Sequence, residues 1–438
     1  MTVAARHTTA PLHHQVHSHV ITRPVAIHRP DRKRHVMFTH RRPGRRPATT
    51  ALRLIVASTA AVALATTAAC TIDKGDGSQS SASGSSADST ENAPKAPTSN
   101  VKDGATGVSV TEPVTVKGEG LSRVSLTDAD GTVVDGDLDT AAGTWTSTGG
   151  LNYSTTYTLT AAAGDRTLSE TFTTFAPETV TNGALAPLDG ATVGVGQTIA
   201  LRFDEVIHDR RAVEKLIKVT TEPSVEGAFY WVSNQEVRWR PKDHWAPGTH
   251  VTVDAALKGH DLGGGTYGEV DRHAAFTIGD EVVGKVDDAN KILTFYKNGE
   301  EWRSMPVSMG KDKYPTPNGT YIVGDQVPSI VMDSSTFGLA VSAPEGYRSN
   351  IQWATQMSYS GIYIHSAPWN VGIQGVQNDS HGCLNVSPEN AEWVYENVKR
   401  GDLVEVSGTL GPTLDGTDGL GDWNIPWDVW SAGNADAA

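Results

Sequence analysis

Cysteine is nearly absent from this chain: 438 residues contain two, Cys70 and Cys383, too few for a disulfide framework. Aromatic residues make up 7% of the sequence, and no heptad pattern runs far enough for a coiled coil. Long hydrophobic runs are scarce too. The most apolar one, Leu54–Ala69, spans sixteen residues without a charge, short of the roughly 20 that a membrane-crossing helix needs. Positive charge thins out beyond the N-terminus. Residues 1–53 hold 11 Lys/Arg against the single acid Asp31, which leaves 25 bases and 49 acids for the rest. A body that acidic is not expected to bind nucleic acid.

What is present starts with an address. A basic stretch, the apolar run 54–69 and then Thr67-Ala68-Ala69-Cys70 follow the order of a secretory signal. Cysteine directly after small residues marks residues 1–70 as a basic N-region with a signal or lipoprotein segment, lipidated at Cys70. An uncleaved anchor helix is the alternative, and Thr67 stands where a lipobox has a larger aliphatic residue. Seven of the fifteen histidines fall within residues 1–36, a stretch outside the protein if translation starts at Met37. Either form of attachment exports the remainder to the outer face of the cytoplasmic membrane or the cell wall. Residues 71–98 are Ser/Gly-rich without an aromatic, so they read as a flexible linker, about 30 Å long as a coil.

The fold class expected downstream is mainly all-β. Residues 99–178 and 179–280 share a weak repeat: Gly143-Thr144-Trp145-Thr146 with Thr155–Thr160, and Val237-Arg238-Trp239-Arg240 with Gly248–Val253. Alternating apolar positions such as Ile199, Leu201 and Phe203, separated by Asp-Gly turns, fit two immunoglobulin-like β-sandwich domains without an inter-sheet disulfide. Trp145 and Trp239 are expected in their cores. Residues 281–407 read as a third β-rich domain with one well-marked helix. Its signals are Ser387 as N-cap, Pro388 at N1, the stripe Ala391, Val394, Tyr395 and Val398, and closure at Lys399-Arg400-Gly401. Residues 408–438 form a Trp-rich C-terminal tail whose Trp423, Trp427 and Trp430 are expected to dock on that third domain.

The chemistry concentrates at Ser380-His381-Gly382-Cys383-Leu384-Asn385, with His365 upstream. One unpaired cysteine beside two histidines in an exported protein suggests a nucleophile, because imidazole is the usual means of activating a thiol. On a strand, His365 points away from Ile362 and Ile364. If residues 381–386 are extended, His381, Cys383 and Asn385 share a face opposite Leu384 and Val386. Backbone N–H groups around Gly382 and Cys383 are candidate oxyanion donors. Two other readings stay open: an inert buried thiol, and a zinc site made of His365, His381 and Cys383, although no fourth ligand motif lies nearby.

His365, fourteen intervening residues and then Ser-His-Gly-Cys-Leu-Asn resemble the signature of YkuD-type L,D-transpeptidases. Thr316-Pro317-Asn318-Gly319 is similar to that family's upstream Thr-Pro-x-Gly segment. The layout from residue 99 to 438 resembles the large actinobacterial form of these enzymes. The resemblance implies a β-sandwich-like catalytic domain that needs no cofactor and no metal. It implies action on peptidoglycan stem peptides, with Cys383 expelling D-alanine from a donor tetrapeptide and an acceptor stem completing a 3→3 cross-link. His365 matches the general base, the Ser366 carbonyl orients its ring, and His381 supports the thiolate. Gly382 belongs to the backbone oxyanion site. Tyr347, Met332, Trp369, Asn385 and Ser380 match substrate-binding positions. Carbapenem-type β-lactams are expected covalent inhibitors. An L,D-carboxypeptidase, a non-catalytic wall-binding module and a sortase-like ligase are the competing functions.

Overall fold

The structure, a computed structural model, describes residues 95–437. The readings for Cys70, the signal segment and linker residues 71–94 lie outside the described residues. Within them, strands dominate, as the alternating patterns imply.

The first sandwich packs two sheets. One joins Thr98–Ser99, Thr115–Lys117, Thr144–Ser147 and Gly136–Asp139, and the other Leu121–Asp128, Thr156–Ala163 and Arg166–Thr173. Thr156–Ala163 shows why it forms: Tyr157, Leu159 and Ala161 are buried while the threonines between them are exposed. Trp145 is 4% exposed, a core residue, and the Tyr157 and Phe172 rings stack at 5.7 Å.

The second sandwich faces the sheet Thr192–Val193, Arg272–Ile278, His250–Ala255, Ile217–Glu222 against Gly227–Trp231, Glu236–Pro241, Ile199–Phe203, Gly183–Ala186. Trp239 lies in its core with Ile199, Leu201, Phe203, Val251 and Val253. A short helix, Arg210–Leu216, adds to the single helix expected in the chain. Asp209 caps it by accepting from the Ala212 N–H at 2.9 Å.

The third domain has a five-stranded sheet ordered Glu300–Pro306, Ile292–Lys297, Val282–Asp287, Leu403–Ser407, Gly319–Ile322. A four-stranded sheet, Gln326–Asp333, Arg348–Gln356, Tyr363–Ser366, Leu384–Val386, packs beside it. The helix Pro388–Asn397 starts as its caps indicate, with the Ser387 side chain accepting from Asn390 N–H at 3.2 Å. It stops short of Lys399-Arg400-Gly401, because Val398 is already extended and buried in the core.

The tail meets expectation in part. Leu414 joins the core of the third domain, and Asn424 bonds Thr320 on both its N–H and its carbonyl. The tryptophans, however, lie against the second sandwich. Trp423 Nε1 donates to the Gly196 carbonyl at 2.8 Å and Trp430 Nε1 to the Ala228 carbonyl at 2.9 Å. The Arg240 guanidinium sits 4.5 Å from the ring centres of Trp423 and Trp430.

Candidate active site

The strand Tyr363–Ser366 divides its side chains as alternation demands. Ile364 is fully buried in the core, whereas His365 faces a cavity and runs in parallel register opposite Asn385. His365 Nδ1 lies 3.0 Å from the Ser366 carbonyl. A carbonyl only accepts, so Nδ1 carries the proton and Nε2 keeps its lone pair.

The nucleophile segment is not extended throughout. The strand begins at Leu384, and residues 381–383 bend around Gly382, whose φ is +122°. A side chain there would be strained and its Cβ would meet Ile362 Cδ1 at 2.7 Å. Two hydroxyls fix this bend. Ser380 Oγ donates to the Cys383 carbonyl at 2.6 Å and accepts from the Gly382 N–H at 3.0 Å. Thr316, wholly buried, donates to the Gly382 carbonyl at 2.8 Å and accepts from the Gly310 N–H at 2.9 Å. Gly382 is therefore not placed as an oxyanion donor, because its N–H is held by Ser380. Ser380 itself, though on the cavity wall, has its hydroxyl committed to the bend.

Burial governs the electrostatics. Cys383 is 8% exposed, and burial pushes its thiol up to about 11, with the Tyr363 backbone N–H pulling the other way. Burial pushes His365 down to about 4 against its bond to Ser366. Burial thus opposes the charged form of both groups. His381 is also held down, by burial first and then by Lys311. Its ring lies 4.6 Å from that of Tyr314 and 5.2 Å from that of Tyr347.

The cavity enclosing these groups measures about 190 Å³, and Met332, Tyr347, Trp369 and Asn385 line it with His365, His381 and Cys383. Trp369 is 59% exposed, its ring 6.1 Å from that of His365, and forms an apolar rim. Asn385 is buried, and its Oδ1 has no hydrogen-bond partner among the described residues. Three lining residues escaped the sequence reading: Ser349, Ile351 and Asp379. The period-two spacing Tyr347, Ser349, Ile351 was the available signal for the first two. A thiol on a cavity wall differs from an inert packing cysteine. Among the described residues no group of three His, Cys, Asp or Glu could hold a metal ion.

These elements have close counterparts in known proteins. Residues 281–406 match the L,D-transpeptidase catalytic domain family, YkuD, and residues 105–261 match the bacterial Ig domain family. The chain belongs to the L,D-transpeptidases. It is 54% identical over 346 residues to L,D-transpeptidase 2 of Mycobacterium tuberculosis, covering 78% of this chain and 85% of that protein. L,D-transpeptidase 5 of the same species is 34% identical over 354 residues, 77% of each chain. A solved L,D-transpeptidase in complex with imipenem is 37% identical, with a TM-score of 0.46 over 51% of this chain and 98% of that one.

Proposed function

We propose that this protein forms 3→3 peptidoglycan cross-links through an acyl-enzyme on Cys383. One observation carries the reading: a buried thiol and a buried imidazole on the wall of one cavity, with His365 oriented by a carbonyl. The donor is a stem tetrapeptide whose third residue is a diamino acid and whose fourth is D-alanine.

The Cys383 sulfur attacks the carbonyl of the third residue, and its proton passes to His365 Nε2 as the C–S bond forms. Concerted transfer avoids the free thiolate that the cavity disfavours. With the Gly382 N–H held by Ser380, the Cys383 N–H takes the developing oxyanion. Collapse breaks the C–N bond, and His365 returns the proton to the departing D-alanine amine. A thioester remains. The side-chain amine of an acceptor stem attacks it, the C–S bond breaks, and the thiol is restored through His365. His381 packs beneath the lid residue Tyr347 and supports the thiol segment. The unpartnered Asn385 Oδ1 accepts from a donor N–H, and Met332 and Trp369 cover its apolar atoms. The strained lactam carbonyl of a carbapenem presents the same electrophile, making such drugs covalent inhibitors. A lipid anchor at Cys70 would hold this chemistry outside the cytoplasmic membrane.

The test is product analysis by mass spectrometry after incubation with donor and acceptor stems. The expected result is a 3→3 dimer with one equivalent of D-alanine, both lost in Cys383→Ala. Tripeptide and D-alanine without dimer would instead assign a carboxypeptidase, and no D-alanine release would refute the reading.

A further inference from the structure

We infer that Asp379 is the docking carboxylate for the acceptor amine, a specificity-determining residue for the second half-reaction. The inference rests on the transpeptidase reading above. Asp379 lines the same cavity as Cys383 and His365 and is the one carboxylate among its lining residues. Its side chain is exposed, at the mouth rather than the floor.

The neighbouring acid makes the contrast. Glu345, on the lid side, is committed to Lys311 at 2.9 Å, to Lys313 and to the Tyr314 hydroxyl at 3.1 Å. Its charge is spent within the protein. The Asp379 carboxylate makes no ion pair and accepts no hydrogen bond among the described residues, and its field is felt at the nearby His381 ring. The backbone beneath it is fixed all the same. Asp379 N–H donates to Ser308 Oγ at 3.0 Å and to the Met309 carbonyl at 3.1 Å, and Ser380 N–H donates to Met309 at 3.0 Å. The result is an uncompensated negative charge, rigidly mounted four residues before the nucleophile.

An acceptor amine reaches the site as an ammonium. At Asp379 it is held beside the thioester, where it sheds one proton to water. The free amine then forms the C–N bond as the C–S bond breaks, its second proton going to neutral His365 and on to the Cys383 sulfur. A carboxylate that docks the attacking amine acts in this half-reaction, since the nucleophile of the first is the Cys383 thiol.

The experiment uses the full chain with a donor tetrapeptide and a tripeptide acceptor carrying a side-chain amine. Asp379→Asn should raise the acceptor KM about fivefold, in line with one exposed ion pair. It should also flatten that KM's dependence on salt, while D-alanine release without acceptor keeps its rate. Asp379→Glu should restore the acceptor KM and its salt dependence. An acceptor KM and salt dependence unchanged in Asp379→Asn would overturn the inference. So would slowed D-alanine release, which would mean that Asp379 reads the donor. If the wild type releases no D-alanine at all, the failure lies with the transpeptidase reading instead.

Discussion

Thr316 shows how much a single uncharged hydroxyl does here. It ties the Ser380–Cys383 bend to the neighbouring segment, through the Gly382 carbonyl and the Gly310 N–H, in a fully buried position. Thr316→Val keeps the shape and leaves two buried backbone groups unpaired, at about 1–3 kcal/mol each. A sulfur displaced by even a fraction of an ångström loses its line of attack, so kcat should fall about 10–100-fold with little change in donor KM. Thr316→Ser should recover most of it. Single-turnover acylation beside thermal melts checks this; equal losses in the two variants would show that the methyl group matters instead. At this scale the sequence was legible where residue type dictates chemistry, as for Cys383 and His365. It was not legible for Gly382, because the partner of a backbone N–H depends on where a side chain such as Ser380 turns.

At the scale of elements, the lid is strapped rather than loose. Tyr347 N–H donates to Ser334 Oγ at 2.9 Å and Ser334 N–H to the Tyr347 carbonyl at 3.0 Å, closing the segment between them. Glu345 then ties that segment to the Lys311–Tyr314 loop. The hydrogen bonds from Lys313, then Lys311, push the Glu345 carboxyl down to about 2, so the strap stays charged at any working pH. Glu345→Gln should speed hydrogen exchange at the Ser334 and Tyr347 amides roughly tenfold by easing local opening, with no change from pH 5 to 8. Unchanged exchange would mean that the backbone bonds suffice. Strand alternation around His365 and the Ser387-Pro388 helix start were readable from local pattern. The strap was not, since its partners lie more than thirty residues apart and surface charges carry no periodicity.

At the scale of the molecule, the second sandwich and the catalytic domain share a core. Val283, Ile322, Leu403 and Leu420 belong to the same apolar cluster as Ile199, Trp239 and Val253. Beside it Asp422, fully buried, accepts from Arg238 Nη1 at 2.9 Å and Thr198 Oγ1 at 2.7 Å. Burial pushes the Asp422 carboxyl up and Arg238 draws it back down. Asp422→Ala strands a guanidinium that is 4% exposed, although Glu236 still pairs with it. The expected cost is about 3 kcal/mol, read by denaturant unfolding; a loss below about 1 kcal/mol would mean desolvation cancels the pair. The first sandwich has its own core, and Tyr153 links it to the second by bonding Gly259 N–H at 2.6 Å and the Gly268 carbonyl at 2.8 Å. The sandwich pattern was legible because each strand shows its buried face. The tail's destination was not, because tryptophan spacing marks an apolar face without naming the surface, here Arg240, that complements it.

The most direct test of Cys383 as a nucleophile served by His365 is the intact mass of the full chain after timed exposure to a carbapenem, followed from pH 3 to 8. One drug mass should be added, none in Cys383→Ala, with far greater slowing in His365→Ala than in His381→Ala. Because burial lowers His365 to about 4, the base form persists below the ordinary histidine range. The rate should therefore fall as pH drops through about 4 rather than through 6.5. An adduct that survives in Cys383→Ala, or equal slowing in the two histidine variants, would contradict that assignment.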